Sequence, residues 1–339
     1  MQHRITNSGP LLDRQGNLLE KGWATDLLLQ YRREDIKVPS FMIKEWDYYA
    51  VLNEYFGIAL TVADIGYIGV LTVTVFDFKR PKEWTKTVIT PFPLGKYNMP
   101  NSTAEGDINI SNKGLSLTFK REKGKRRLIV KDENFFKGKA LIGEIFLDVN
   151  EENDSIVMAT PFHKNKHFYY NQKTNCQRAS GGFKFGDQYF DFSKELSFGV
   201  LDWGRGVWTY NNTWYWGSAS GMVDNSLFGF NIGYGFGDTG KATENGMFYN
   251  GKIHKLEEIQ FHIPEDNYLD PWRISSSDNR FEMKFIPVID RNSKTKVFIL
   301  ESDQHQVFGY FTGTAILDNG KIIELDRFFG FAEKVTNKW

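Results

Sequence analysis

This sequence predicts an all-β protein built as two antiparallel β-barrels in tandem, and three observations carry that expectation. Apolar and polar residues alternate with a period of two along much of the chain. Turn chemistry falls between the alternating runs, and amphipathic helical periodicity is scarce. A parallel α/β sheet needs a helical crossover between its strands, and the few helical signals present cannot supply them. At 339 residues, two barrels account for the length better than one.

The clearest strands are Leu71-Thr72-Val73-Thr74-Val75, Leu115-Ser116-Leu117-Thr118-Phe119 and Ile145-Phe146-Leu147-Asp148-Val149, each with one face apolar and the other polar. Lys123-Gly124, Asn250-Gly251 and Asn319-Gly320 supply tight turns between strands, because Asn and Gly tolerate the positive φ angles that such turns require. The best helical candidate lies at residues 23–33, where Leu27, Leu28 and Leu29 precede Tyr31 and Arg33. No Pro-rich or Ser-rich linker divides the chain. Ala179-Ser180-Gly181-Gly182 is the weakest strand former near its middle, so the expected domains are residues 1–182 and 183–339.

Composition narrows the partners. With 42 basic and 42 acidic side chains, the chain lacks the net positive charge that draws proteins to nucleic acid. The densest basic run, Lys120 to Arg127, straddles the turn at Lys123-Gly124 and holds no aromatic on which a base could stack, so it reads as a solvated hairpin tip. One cysteine, Cys176, excludes an internal disulfide and fits a reducing compartment. The first residues are polar and lack an apolar signal core, and no window is long enough to cross a bilayer. A cytoplasmic protein without integral membrane association is expected.

Aromatic content is the unusual term, with 29 Phe, 15 Tyr and 9 Trp beside 31 Gly. Residues 197–250 hold four of the Trp. Within them, Phe228, Phe230, Ile232, Tyr234 and Phe236 alternate with Gly or Asn. One face of that strand is crowded, and the other admits a side chain, a backbone or a ligand. The spacing of Gly233, Gly235 and Gly237 does not make a dinucleotide loop, since the glycines recur at every second residue of a strand and no helix follows.

The leading candidate site lies in the same region. Asp202 and Glu244 are the candidate acids. Trp203, Arg205, Trp208, Tyr210, Trp214, Trp216, Tyr234 and Asn245 are the candidate ligand-binding groups. Burial beside indoles raises a carboxyl pKa and keeps a proton available near neutral pH. Arg205 opposes this if it lies beside Asp202, and the two then form a structural ion pair instead.

A second group, Glu45 and Asp47 among Trp46, Tyr48 and Tyr49, places its acids on one strand face and Trp46 and Tyr48 on the other. If the acidic face points into a barrel, its charges need partners or a purpose; the alternatives are solvent or the contact between the halves. His163 with His167, and His254 with His262, lack a convincing third ligand, so neither a metal nor a cofactor is expected.

Several stretches resemble a known family. These are Arg4-Ile5-Thr6 with Gly9 to Asp13, Ile43 to Tyr49, Phe168-Tyr169-Tyr170-Asn171-Gln172-Lys173, Ser197 to Gly206, and Phe230 to Gly237. Together they are similar to the bacterial domain-of-unknown-function family 2804, over nearly the whole chain. That family is grouped with lipocalin-like, calycin-related two-barrel proteins that include carotenoid hydratases and tocopherol cyclases. The resemblance implies two tandem lipocalin-like antiparallel β-barrels with few short helices, and it carries no catalytic motif over to these residues.

Three functions follow as expectations. The first is a cofactor-independent hydratase, cyclase or isomerase that protonates an apolar or isoprenoid-like molecule from Asp202 or Glu244 within an aromatic pocket. The second is a carrier that binds an apolar or amphipathic small molecule unchanged. The third is a carbohydrate-active enzyme with paired carboxylates.

Overall fold

In a computed structural model, residues 2–297 and 300–338 are described. They form two large antiparallel sheets, each curled toward a barrel, and no α-helix. Two single-turn 3-10 helices, Arg33–Asp35 and Ser40–Met42, lead into the first long strand. The helix expected at residues 23–33 is absent. Gly22–Ala24 pairs with the Ile156–Pro161 strand, and Leu29–Gln30 runs parallel to Gly9–Pro10. Leu29 and Tyr31 are drawn into the first core, and tertiary burial there overrides the local helical preference.

The first sheet has 13 strands. Its centre is the antiparallel set Phe56–Asp64, Lys44–Leu52, Phe198–Val207 and Phe168–Phe185. The second sheet has nine strands, and its centre is Ser226–Tyr234, Asn211–Val223, Ile322–Lys338 and Leu300–Ile316. The hydrogen-bonded division between the sheets therefore falls between Val207 and Asn211. The strands Gln188–Phe192 and Phe198–Val207, which lie beyond residue 182, pair inside the first sheet. Gly181 and Gly182 stand within the long Phe168–Phe185 strand, where the absence of a Cβ at Gly182 lets the Phe190 carbonyl come close.

The turn signals are realised as hairpins. Asn250 and Gly251, both at positive φ (48° and 81°), join Gly246–Tyr249 to Lys252–Lys255, and Gly124 turns at φ 70°.

Alternation sorts most of the buried apolar side chains into three layers, with a smaller fourth cluster around Trp23, Ile156, Met158 and Phe248. Tyr49, Val51, Leu60, Val73, Phe119 and Trp203 are among those filling the first barrel, and Phe230, Phe281, Phe311 and Trp272 are among those filling the second. Between them lies a seam in which Tyr48, Ala50, Phe76, Val200, Trp216, Phe308 and Phe331 pack together. Among the described residues, no helix is long and apolar enough to cross a membrane.

Candidate functional site

Sheet register builds two facing rows of polar side chains across the seam. In the first sheet Lys173 is the cross-strand partner of Asp202, and Asp202 is the partner of Tyr48. In the second sheet Gly233, Trp216, Glu333, Gln306 and Arg291 are successive cross-strand partners. Cross-strand neighbours project from the same face of a sheet, so each row is one line of side chains.

Lys173 lies at the centre. Its ammonium is 2.9 Å from Asp202 Oδ2, 3.8 Å from Glu244 Oε2 and 4.1 Å from the centre of the Trp216 ring. The Tyr169 hydroxyl reaches Asp202 Oδ1 at 3.4 Å. Across the seam, the indole of Trp214 donates to Glu333 Oε1 at 3.0 Å and the Gln306 amide donates to Oε2 at 2.9 Å. Tyr48 and Arg291 both donate to the Gln306 carbonyl oxygen.

Burial sets the protonation of two of these acids. It lifts Glu244 above the ordinary carboxylate range; Lys173 opposes the rise and Asp202 adds to it. It lifts Glu333 to about 7, against the donated hydrogen bond of Trp214. Glu244 Oε2 accepts no hydrogen bond, and both amide atoms of the fully buried Asn171 lack a partner of normal geometry. Buried polar atoms without partners are few in native proteins; here Asn171 shares a strand face with Lys173, which reaches Glu244 on the loop before Gly246–Tyr249.

One side of the row is walled by aromatics. Trp208 lies 4.9 Å from Trp46 and 5.4 Å from Phe236, centre to centre, and Phe236 lies 4.9 Å from Tyr169 and 5.4 Å from Trp214. On the other side, two residues along each strand, Val200, Ser218 and Phe331 line a groove of about 260 Å³ that opens between the barrels.

The glycine face of Ser226–Tyr234 is turned to this seam. A Cβ at Gly233 would come within 2.5 Å of Glu244 Oε1, and one at Gly229 within 2.5 Å of Cys176 Sγ. The small residues admit those two side chains.

The structure brings Asp202, Glu244, Trp208, Trp214 and Trp216 together and separates the remaining candidates. Trp203 and Arg205 alternate with Asp202 and point into the first barrel. Arg205 pairs with Asp47 at 2.9 Å and donates to the Trp46, Gly204 and Pro100 carbonyls. The suspected Asp202–Arg205 pair is therefore not formed, because opposite strand faces keep the two apart.

Glu45 accepts from Tyr31 and Arg33, so the acidic face of Lys44–Leu52 points into the barrel with its charges partnered. Tyr234 stacks on Tyr215 at 4.4 Å, and its hydroxyl accepts from the Phe261 amide. Asn245 accepts from Gly233 N and donates to the Glu257 carbonyl, which ties a loop to a strand. Tyr210 is 46% exposed.

Sequence reasoning missed Lys173, Glu333, Gln306, Asn171 and Trp46. Lys173 ends one of the family-like stretches, but nothing in its local pattern distinguishes it. Glu333 lies in an ordinary alternating strand. Register and barrel docking, neither of them local, assemble these residues.

The fold and site thus define a two-barrel β-protein with a largely buried polar row between its barrels, two of whose carboxyls are raised in pKa by burial. The chain belongs to the family described as domain of unknown function DUF2804, whose model matches residues 2–339. Among solved structures, it is similar to a protein provisionally named AttH from Nitrosomonas europaea. Identity is 13%, the TM-score is 0.55, and the match covers 90% of this chain and 96% of that one, a likeness of fold. Kievitone hydratase from Nectria haematococca matches at 9% identity and TM-score 0.49, over 98% of each chain. CghA in complex with Sch210972 matches at 8% and 0.48, over 98% of this chain and 97% of that one. No curated protein matches the sequence.

Proposed function

We propose that this protein takes an apolar or amphipathic small molecule into the seam between its barrels and performs a cofactor-independent proton transfer on it, of the hydratase or isomerase kind. The observation that carries the reading is Glu244, a mostly buried carboxyl with a raised pKa and a buried oxygen that accepts no hydrogen bond, placed beside Lys173. In this reading Glu244 gives its proton to one carbon of a double bond. The cation formed at the other carbon lies against the indole and phenyl faces of Trp208, Trp214 and Phe236.

Capture by water and loss of one water proton completes a hydration; loss of a neighbouring C–H proton completes an isomerisation. Asp202, held by Lys173 and Tyr169, takes up the released proton, and Lys173 lies between the two acids to return it. The carbohydrate alternative fits less well, because Lys173 occupies the space between the two carboxylates where a glycosidic oxygen or a water would sit. The lone cysteine and balanced charge accord with a cytoplasmic protein that handles a small molecule.

The test is native mass spectrometry of the purified protein with identification of extracted molecules, run on wild type, Glu244→Gln and Asp202→Asn. Accumulation in the variants of a molecule that differs from the wild-type one by a water, or that is its isomer, supports turnover. The same molecule in all three supports the carrier reading instead. Infrared spectra give a readout that needs no substrate: a protonated carboxyl band at neutral pH that Glu244→Gln diminishes. If that band is unchanged, Glu244 is not the acid.

A further inference from the structure

The aromatic end of the seam holds a second unusual group. Lys44 shares a strand face with Trp46 and Tyr48, is 4% exposed, and lies 5.4 Å from the Tyr67 ring centre and 5.6 Å from that of Trp208. Among the described residues its ammonium has neither a hydrogen bond nor an ion pair. The Tyr67 hydroxyl is buried and likewise lacks a partner. The ammonium thus lies over the Tyr67 ring, and neither it nor the Tyr67 hydroxyl meets a protein acceptor among the described residues. A nearly buried charge without a counterion is unfavourable, and an anionic ligand group would relieve that cost.

Burial lowers Lys44 to about 8 and pushes Tyr67 up to about 12, so at neutral pH the first is still largely protonated and the second is a donor. The other titratable groups at this end do not quench the charge. His167 is itself lowered by burial and sits against the Asn165 carbonyl, and Glu45 points the other way toward Arg33.

We infer that Lys44 and Tyr67 form the head-group subsite of the seam, reading the carboxylate of an amphipathic acid whose apolar body runs past Trp46 and Trp208 toward Glu244. This rests on the proposed function for where the body lies, but the subsite stands on its own geometry. Four residues of strand, about 13 Å, separate Lys44 from the Tyr48–Asp202 row. A carboxylate on Lys44 thus places the reactive part of a long ligand, rather than a short one, at the acids. Gly204 and Gly206 are the cross-strand partners of Trp46 and Lys44, and the bare face of Gly204 takes the Trp46 indole.

The test uses a fluorescent acid and its uncharged counterpart, dansylamino-undecanoic acid and its methyl ester, titrated into the full chain. Wild type is expected to bind the acid at least about tenfold more tightly than the ester, the scale of one charge-assisted hydrogen bond. Lys44→Met is expected to erase that preference and leave the ester affinity in place, Lys44→Arg to keep it, and Tyr67→Phe to reduce it. Ligand-free Lys44→Met is expected to melt at a higher temperature than wild type, because it removes an unpartnered buried charge.

Equal affinity for acid and ester, a preference that survives Lys44→Met, no binding of the acid by folded wild type, or a lower melting temperature for Lys44→Met would each overturn the assignment. Glu244→Gln separates the two readings. It is expected to leave the acid preference intact, so the head-group subsite survives even if the proton-transfer reading fails.

Discussion

Glu333 couples the stability of the fold to pH, and the direction follows from its surroundings. Burial lifts its folded-state pKa from 4.5 to about 7. Between those values the folded protein binds a proton that the unfolded chain has released. The stabilisation is complete below pH 4.5 and is lost as pH rises through 7. At about 1.4 kcal/mol for each pH unit, the loss amounts to about 3 kcal/mol.

Glu333→Gln removes the titration and retains the shape. Other acids raised by burial, Glu244 and Glu83, remain in both proteins and cancel in the difference. The assay is urea unfolding followed by tryptophan fluorescence at a series of pH values from 4.5 to 8. Wild type is expected to lose about 3 kcal/mol relative to the variant across that range. Parallel curves would refute the reasoning: they would mean that Glu333 is ionised in the fold at acid pH, its Trp214 and Gln306 hydrogen bonds outweighing burial.

Three further outcomes test the architecture. Lys173→Met strands Asp202 in a buried row and is expected to destabilise by about 3–5 kcal/mol in urea, while Lys173→Met with Asp202→Asn together should recover most of the loss. If the double variant is as unstable as the single one, the pair is not the unit that matters. Arg205→Met leaves Asp47 without its cation inside the first barrel, and a loss of similar size is expected by the same measurement; a change below about 1 kcal/mol contradicts the buried pair. Gly229→Ala drives a methyl group against Cys176 Sγ and the Ala219 carbonyl, and thermal melts should show a loss of about 1–3 kcal/mol; an unaltered melting temperature would mean that the strands have room to part there.

Much of the fold was legible locally. Alternation in Leu71 to Val75 and Leu115 to Phe119, and the positive-φ pairs at the turns, are decided by neighbours in sequence, so they could be read without knowing what the strands face. The same alternation correctly put Glu45 and Asp47 on the face opposite Trp46 and Tyr48. Residues 23–33 misled because three consecutive leucines satisfy a helical stripe as readily as a stretch that winds over a barrel end. Burial of Leu29 and Tyr31 decided between the two.

The site divides along the same physical line. By itself the sequence set Asp202 beside Trp203 and Trp208 and offered Glu244 as a second candidate acid beyond the Gly-rich strand, and it showed that one face of Ser226–Tyr234 is bare enough to admit a side chain. It could not place Asp202 apart from Trp203 and Arg205, its neighbours in the chain, since that depends on which strand face looks into the barrel and which looks into the seam. Nor could it bring up Lys173, 29 residues before Asp202, or Glu333, 131 residues after it, because cross-strand register and the docking of two barrels join residues without regard to their separation in sequence. Local alternation settles which residues share a face. Only the tertiary structure decides which faces meet, because that choice is made by the burial of both sheets at once.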